Sequence, residues 1–466
     1  MLIRLFRYWF TFAARVSPRQ YLAHGAGLMA AKYVTDVALV WIAVGRLWSP
    51  VDYMRTISTL QSSTLAGAAP WLMPALAVWT LPFLWAGVTL TLRRAVDAGR
   101  SPWLALGFFV PYLNYVTIAA LSTLPSRAES VVVDRRIPSR SDQTKYLSAI
   151  VPGVAFGLGM IALSVYALRS YSAALFFATP FGVGALTAFL LNRRFLVSQR
   201  QTTNLVLLTH ALLAAVLMLV GREGAICIAM AIPLAMAAGV MGGLAGRQIA
   251  LQADTDLRPA ALGMFAFPLA ALIEPTVARG PTLHEVRSSV EIAASPMTVW
   301  SQVIAFPPMP EPTTWFFRLG IAYPKYARIE GAGVGAVRYC VFSTGPFVEP
   351  ITIWEPGIRL AFDVRSSPVP LRELTPYDSV SPPHLNGFLQ SRRGEFRLIA
   401  LANGHTRLEG STWYTVAMGP EGYWQIFGDY LIHQIHLRVL EHIRDVAEQP
   451  VVAAASHAAA QDKKLR

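Results

Sequence analysis

The stretch RRGEFRLIALANGHTRLEGSTWYTVA, residues 392–417, decides the fold of the C-terminal part of the chain. Charged and apolar residues alternate on both sides of Asn403-Gly404, a pair typical of a tight β-hairpin turn. The alternation predicts two antiparallel strands with one face in water and one face against a core. Phe396 and Tyr414 fall on the predicted dry face.

The same alternation extends upstream, and it predicts further strands at Gly335–Ser343, Phe347–Trp354 and Ile358–Val364. A long helix is predicted from about Gly422 to Glu448, and its apolar residues form two stripes, so we expect it to be enclosed on two sides. The C-terminal part is therefore predicted to be an α+β helix-grip domain, a curved antiparallel sheet around a long C-terminal helix.

This order of elements resembles the START/polyketide-cyclase-like (SRPBCC) superfamily over about residues 284–448. The resemblance is carried by Val290–Trp300, Gly331–Tyr339, Ile351–Phe362 and the final helix. It implies a hydrophobic cavity between sheet and helix. Members of that superfamily bind lipids, sterols, polyketides and related apolar molecules, and a few are enzymes.

Side chains on the predicted dry faces would line such a cavity, and their few polar groups would orient a mostly apolar ligand. The predicted lining residues are Tyr339, Phe362, Phe396, Tyr414, Tyr430 and His433. No catalytic residue can be assigned, because no nucleophile elbow or Ser/His/Asp order is recognisable. His433 and His436 point about 60° apart on a helix that turns 100° per residue. A metal site would also need a third ligand that the sequence does not place, so no metal site is predicted. No cofactor is predicted either. Cys227 and Cys340 are expected to be small buried hydrophobes.

The remainder of the chain has the composition of a membrane protein. Of the 466 residues, 54% are hydrophobic and 14% charged, and the formal net charge is +13. Residues 1–280 hold 23 basic and 10 acidic side chains, whereas residues 281–466 hold 17 of each. A basic, apolar half argues against a nucleic-acid partner, and it suits membrane helices with Lys and Arg in their loops.

Hydrophobic runs long enough to cross a bilayer follow one another through this half. They are Ala26–Trp48, Trp71–Leu92, Pro102–Leu124, Tyr146–Leu168, Tyr171–Leu191, Thr203–Val220 and Gly224–Gly246, followed by a shorter, Pro-interrupted run at Ala260–Pro275. Basic residues in the loops favour a cytoplasmic N terminus if the Pro102–Leu124 run does not cross, because 17 loop Lys and Arg then lie inside and 4 outside. The first 20 residues are predicted to form a basic amphipathic helix on the membrane surface. Because the last run is short, we expect it not to cross and the C-terminal domain to be cytoplasmic.

The segment Leu92–Trp103 contains Arg-Arg-x-x-Asp-x-Gly-Arg-Ser-x-Trp, and it resembles the signature of the bacterial inner-membrane family called domain of unknown function 805. The likeness covers about residues 1–125, although Ala-Val stands where Leu-His is usual. It implies a location rather than a chemistry. Asp97 could pair with Arg93 or Arg100 on a helix. The membrane-interface residues Arg93, Arg94, Asp97 and Arg100 form either a structural anchor around the turn at Gly99 or a site for lipid headgroups or a partner.

Four regions are therefore predicted: a DUF805-like segment (1–125), further transmembrane helices (126–280), a START-like domain (281–449) and a disordered tail (450–466). The leading hypothesis is a multi-pass protein of the bacterial inner membrane whose tethered domain binds, senses or transfers an apolar, lipid-like molecule. The predicted partners are membrane lipids and that apolar molecule, and no protein partner is assigned. Two alternatives stay open, namely a membrane-anchored enzyme of the cyclase or hydratase kind and a structural or regulatory protein with a filled cavity.

Overall fold

The computed structural model describes residues 8–10, 15–55, 60, 63–69, 71–109, 113–127, 144–252, 264, 266–277, 280–377 and 380–449. The chain forms two compact units. The first contains Met1–Leu217 and Ile228–Arg279, and the second contains Met218–Cys227 and Gly280–Arg466. Most of the predicted N-terminal surface helix and the whole predicted tail lie outside the described residues.

The first unit is helical. Its helices are α1 (Pro18–Val44), α2 (Leu72–Asp97), α3 (Leu113–Thr123), α4 (Thr144–Ile161), α5 (Thr179–Asn192), α6 (Gln199–Leu219), α7 (Ala225–Gln252) and α8 (Ala266–Val277). Short π-helical turns at Ala162–Ala167 and Ala174–Ala178 extend α4 and precede α5. In the described part of the chain, five helical segments are long and apolar enough to cross a membrane: Pro18–Val44, Tyr146–Ala167, Ala174–Asn192, Gln199–Leu219 and Ala225–Leu251. This number supports a multi-pass membrane protein.

The Pro102–Leu124 run does not form one helix. It divides into a 3-10 helix at Pro102–Phe109 and the 11-residue helix α3. Each piece is shorter than the roughly 20 residues that a single crossing helix needs. An interrupted element is what its prolines predicted.

Helices α5 and α7 approach each other at their backbones. A Cβ added at Gly184 of α5 would overlap the carbonyl of Gly239, and one at Gly242 of α7 would overlap the carbonyl of Phe181. A Cβ at Gly246 would overlap the carbonyl of Ala185. Small residues at such crossings allow the close packing on which helix association in membranes depends.

The second unit contains a seven-stranded antiparallel sheet in the order β1-β7-β6-β5-β4-β3-β2. Its strands are β1 (Leu283–Ile292), β2 (Pro324–Glu330), β3 (Val337–Phe342), β4 (Gly345–Glu355), β5 (Arg359–Asp363), β6 (Leu389–Ala400) and β7 (Thr406–Val416). Two short helices, α9 (Pro296–Ile304) and α10 (Trp315–Arg318), lie between β1 and β2, and the long helix α11 (Glu421–Ala447) follows β7.

Helix α11 packs against β1, β7 and α9. Its buried residues Val439, Leu440 and Ile443 join one apolar core with residues of the sheet and α9. The core forms because the strands present apolar side chains to the helix, as the alternating pattern of residues 392–417 predicted. The predicted helix-grip fold is confirmed.

Candidate functional site

The second unit has a cavity of about 110 Å³ between the sheet and α11. Four phenylalanines from the sheet form most of its apolar wall: Phe342, Phe347, Phe362 and Phe396. Helix α11 contributes Ile432, Ile435, Val439 and Leu440. The cavity is thus bounded by the two elements that the helix-grip architecture brings face to face.

Glycines on the sheet leave part of this space open. Gly410 of β7 lies on the cavity wall, and an added Cβ would be 3.5 Å from Leu440 and 3.7 Å from Phe396, which is ordinary van der Waals contact. At Gly394 of β6 an added Cβ would instead overlap the ring of Phe362. Gly394 therefore allows that ring to lie flat on the strand, and Gly410 leaves room inside the cavity.

A buried ion pair forms part of the wall. Arg338 of β3 lies opposite Glu349 of β4 in the sheet register, and its Nη1 donates to Oε2 of that carboxylate. The guanidinium also lies 5.5 Å from the ring centroids of Phe362 and Phe396, within cation–π range. Burial raises the pKa of the Glu349 carboxyl, and the neighbouring guanidinium opposes that rise.

One nitrogen of this arginine makes no hydrogen bond by geometry, although the Cys340 thiol lies close enough to interact with the guanidinium. Arg338 is 1% exposed, and its buried Nη2 has no hydrogen-bond partner among the residues that the structure describes. A buried donor without an acceptor costs about 1–3 kcal/mol, and more when it is charged. The cavity wall therefore contains a donor that an acceptor oxygen would satisfy.

A second polar group on the wall is fully engaged. His436 of α11 lies 3.1 Å through Nδ1 from the hydroxyl of Ser288 and 2.7 Å through Nε2 from that of Thr412. The Ser288 hydroxyl also lies 2.7 Å from Nδ1 of His433. Burial, with the neighbouring His433, lowers the pKa of His436 to about 4, so this imidazole is neutral at pH 7.

The six lining residues predicted from the sequence are spread over the domain. Phe362 and Phe396 lie on the cavity wall. Tyr414 is buried beneath α11, where its hydroxyl donates to Asp429 at 2.5 Å. His433 is hydrogen-bonded to Ser288 as described above. Whether any of these residues contacts a ligand stays a prediction.

Tyr339 and Tyr430 lie away from the cavity. Tyr430 is 53% exposed, because the first stripe of α11 faces away from the sheet at this point. Tyr339 lies under the guanidinium of Arg328, 4.2 Å from its ring centroid, on the opposite face of the sheet from Arg338. The faces of β3 are therefore exchanged relative to the prediction, since Arg338 and not Tyr339 faces the interior.

Neighbouring sequence contained a signal for this orientation. In the β3–β4 hairpin Phe342 pairs with Gly345, so Arg338 falls opposite Glu349. Opposite charges directly across a hairpin form a cross-strand pair, and a buried arginine requires such a partner. A turn at Ser343-Thr344, instead of Gly345-Pro346, predicts the pairing of Arg338 with Glu349.

The predicted interface residues of the first unit are mostly buried. Arg94 is fully buried and forms an ion pair with Asp97 at 2.5 Å, a pairing that the spacing analysis did not name. The spacing of three residues suits both Arg94 and Arg100, and only Arg94 lies inside the protein. Arg100 is exposed.

Arg94 also connects two helices. Its guanidinium donates to the carbonyls of Leu121 and Leu124 at the end of α3, which are groups that a helix terminus leaves without intrahelical partners. Ser126 donates to the Asp97 carboxylate at 2.5 Å. Arg93 is buried too, and it donates to the carbonyl of Tyr8 at 2.7 Å. These contacts favour the structural anchor over a headgroup site.

Comparisons with known proteins cover both parts of the chain. The family described as "Protein of unknown function (DUF805)" matches residues 9–132. No curated protein matches the sequence.

Among solved structures, the similarity covers about a third of the chain. A protein from Nitrosospira multiformis is 17% identical and covers 36% of this chain and 97% of its own, with a TM-score of 0.24. Norcoclaurine synthase from Thalictrum flavum is 13% identical over 37% of this chain and 98% of its own (TM-score 0.25). The Zhui aromatase/cyclase from Streptomyces is 14% identical over the same shares, also with a TM-score of 0.25. Residues 9–132 thus match the DUF805 family, as the Arg-Arg-x-x-Asp signature predicted, and the C-terminal domain has a helix-grip fold.

Proposed function

We propose that the C-terminal domain binds a small, mostly apolar molecule that carries an oxygen acceptor. The carrying observation is the buried Nη2 of Arg338, a charged donor without a partner among the described residues, on the wall of a phenylalanine-lined cavity. A ligand oxygen would satisfy this donor, and the rings would cover the apolar remainder.

The size of the cavity narrows the ligand class. An engineered apolar cavity of about 150 Å³ binds benzene. A cavity of about 110 Å³ therefore suits one ring or the end of one acyl chain, not an entire two-chain lipid. A lipid-like ligand would insert one end, with its oxygen near Arg338.

The enzymatic alternative rests on the presence of Glu349 and His436 on the same wall. Both groups are already engaged, since Glu349 is held by Arg338 and both ring nitrogens of His436 lie at hydroxyl groups. A general acid or base needs hydrogen-bond access to its substrate. Binding is therefore favoured over catalysis.

We further propose a multi-pass protein of the bacterial inner membrane with the domain on the side opposite to the 125–145 loop. Three candidate spans separate that loop from residues 218–227, namely Tyr146–Ala167, Ala174–Asn192 and Gln199–Leu219. Residues 218–227 belong to the same compact unit as the C-terminal domain. If each of these three spans crosses once, residues 218–227 lie on the side opposite to residues 125–145. The proposed side of the domain therefore differs from the cytoplasmic side that we expected from the sequence.

The end of α8 supports the same side. The Glu274 carboxylate accepts the backbone N–H groups of Ala173 and Ala174, at 2.8 Å each. Those amides lie one crossing away from the 125–145 loop. On this proposal the chain must cross once more between Gln252 and Val277, a stretch that ends in the 12-residue helix α8. Positive charge in residues 125–145 supports a periplasmic position for the far side.

Binding is tested on the full-length chain in detergent with 4-fluorophenol and fluorobenzene as ¹⁹F NMR probes. Wild type should bind the phenol more tightly. A double variant, Arg338→Met with Glu349→Leu, removes the donor and its counter-charge together, and it should bind both probes equally. Equal binding of both probes by the wild type would refute the acceptor, and no binding above that of empty micelles would refute the cavity site.

A further inference from the structure

A cluster of potential metal ligands lies in the second unit, away from the cavity. It contains Glu223 and Cys227 from the Met218–Cys227 segment, Glu373 from the chain between β5 and β6, and His384 from a 3-10 helix at Pro383–Leu385. None of these residues has a part in the proposed cavity. We call the set the 223/384 cluster.

The side chains converge closely. Cys227 Sγ lies 2.9 Å from His384 Nε2, and Glu223 Oε1 lies 3.7 Å from Nδ1 of the same ring. One donor atom each from Glu223, Cys227 and His384 lies within 4.8 Å of the other two. The side chains of Glu223 and His384 are only 19% and 10% exposed. Sulfur, nitrogen and oxygen donors therefore surround one small, largely enclosed point.

Glu373 holds the backbone at Cys227 in place. Its two carboxylate oxygens accept the backbone N–H groups of Ile226 and Cys227, at 3.0 and 3.2 Å. A Cβ at Gly224 would overlap the Glu373 side chain, so only glycine allows this approach. The Cys227 backbone is thereby held at a set distance from the segment that contains His384.

A Cys–His–Glu order is also that of a thiol nucleophile with its base and orienting acid. The geometry opposes this interpretation. The first-turn amides that would bind a developing oxyanion are occupied by Glu373, and that carboxylate lies close enough to the thiol to act on it electrostatically. A second negative charge on sulfur is unfavourable there unless a cation is present.

We propose that the 223/384 cluster binds one zinc-type divalent cation through Cys227 Sγ, an imidazole nitrogen of His384 and a carboxylate oxygen of Glu223. Thiolate, imidazole and carboxylate are the donor types that Zn²⁺ takes, and three protein ligands leave a fourth position for water or an exogenous ligand. With bonds of about 2.3 Å to sulfur and 2.0 Å to nitrogen, a tetrahedral angle separates the two donors by about 3.5 Å. The observed 2.9 Å needs to open by about 0.6 Å, which side-chain rotation provides.

The cation would join two stretches of chain that are about 150 residues apart in sequence. Because the ligands are brought together only by folding, metal affinity would contribute to the stability of this part of the unit. Glu373 acts as a positioning residue, holding the Cys227 backbone while it does not itself ligate.

The test uses the full-length, tag-free chain in detergent, stripped with a chelator and titrated with Zn²⁺ against a chromogenic competitor. We expect one equivalent per chain. Cys227→Ser and His384→Gln should each weaken Zn²⁺ binding by at least about 100-fold. Loss of a residue that only orients a metal ligand costs about 10–100-fold in affinity, and these variants remove a ligand itself. Cys340→Ala and His433→Gln, which change the same residue types elsewhere in the domain, should keep the wild-type affinity.

Co²⁺ provides a readout that does not depend on how the variants fold. Bound at this cluster, it should show a thiolate-to-metal charge-transfer band in the wild type. Stoichiometric Co²⁺ uptake without that band would place the metal elsewhere and overturn the proposal. So would the absence of an equivalent of tight Zn²⁺ in wild type, or a folded Cys227→Ser protein that retains wild-type affinity.

Discussion

Replacement of Gly410 by leucine should close the cavity from within. Gly410 lies on the wall, and an added Cβ would make only ordinary contacts with Leu440 and Phe396, so the remaining leucine atoms extend into the open space. Core cavities cost about 24 cal/mol per Å³. A volume of 110 Å³ then corresponds to about 2.6 kcal/mol, or about 80-fold in the affinity of a ligand that fills it.

The assay is the ¹⁹F NMR titration of the full-length chain with 4-fluorophenol, together with thermal unfolding. Gly410→Ala adds one methyl group, so its affinity should change by less than about fourfold. Gly422→Leu is the matched control, because Gly422 is exposed at the start of α11 and an added Cβ meets nothing within 4 Å. Micelle partitioning is common to all variants and cancels in the comparison.

Thermal stability separates the possible outcomes. Glycine inside a strand is unfavourable, so Gly410→Leu should unfold at the wild-type temperature or above it while the probe is lost. A well-folded Gly410→Leu protein that keeps its affinity within threefold would refute the cavity as the binding site. A large loss of stability would show that the space is already filled, in agreement with the structural alternative.

Three further predictions concern buried ionisable side chains. Glu349→Gln should destabilise the domain by about 3–5 kcal/mol in denaturant titrations, because the buried Arg338 loses its counter-charge, and adding Arg338→Met should recover much of the loss. Asp97→Asn should lower the melting temperature of the detergent-solubilised chain, because it breaks the buried ion pair with Arg94. Arg100→Ala, at an exposed position, should change the melting temperature by no more than a degree or two. Equal effects of the two variants would contradict the structural anchor formed by Arg94 and Asp97. The pKa of His436 is lowered from 6.5 to about 4 in the folded state. The neutral imidazole therefore contributes about 3 kcal/mol to the free energy of unfolding above pH 6.5, and this contribution is lost as the pH falls toward 4. The free energy of unfolding of His436→Gln should depend less steeply on pH between 6.5 and 4.

The strands of the domain could be predicted because their period is local. Charged and apolar residues alternate on both sides of Asn403-Gly404, and the structure pairs β6 with β7 across that turn. The long helix was predictable for a similar reason, since its two apolar stripes repeat over several turns. Five of the seven long hydrophobic runs correspond to helical segments long and apolar enough to cross a membrane in the described part of the chain.

The cavity wall was less predictable, because pattern analysis assigns faces by polarity. Tyr339 was assigned to the dry face only because Arg338 carries a charge, and the structure reverses the two. Burying an arginine is tolerable only with a partner and hydrogen bonds, and the partner belongs to the next strand. The face of β3 is therefore decided by a pairwise relation that no single strand contains.

The same limit accounts for Arg94 and for the 223/384 cluster. Arg94 is buried because the terminal carbonyls of α3 and the Asp97 carboxylate accept hydrogen bonds from its guanidinium. Those carbonyls are backbone groups, so the residue types at the end of α3 do not reveal them. The hydrophobic run around Cys227 predicts a small buried hydrophobe, and the structure adds a contact at 2.9 Å with an imidazole 157 residues further along the chain. In each case a side chain that looks misplaced on its own element acquires its role from a partner supplied by another element. A partner from another element can therefore reverse the face that local polarity predicts, as Glu349 does for Arg338.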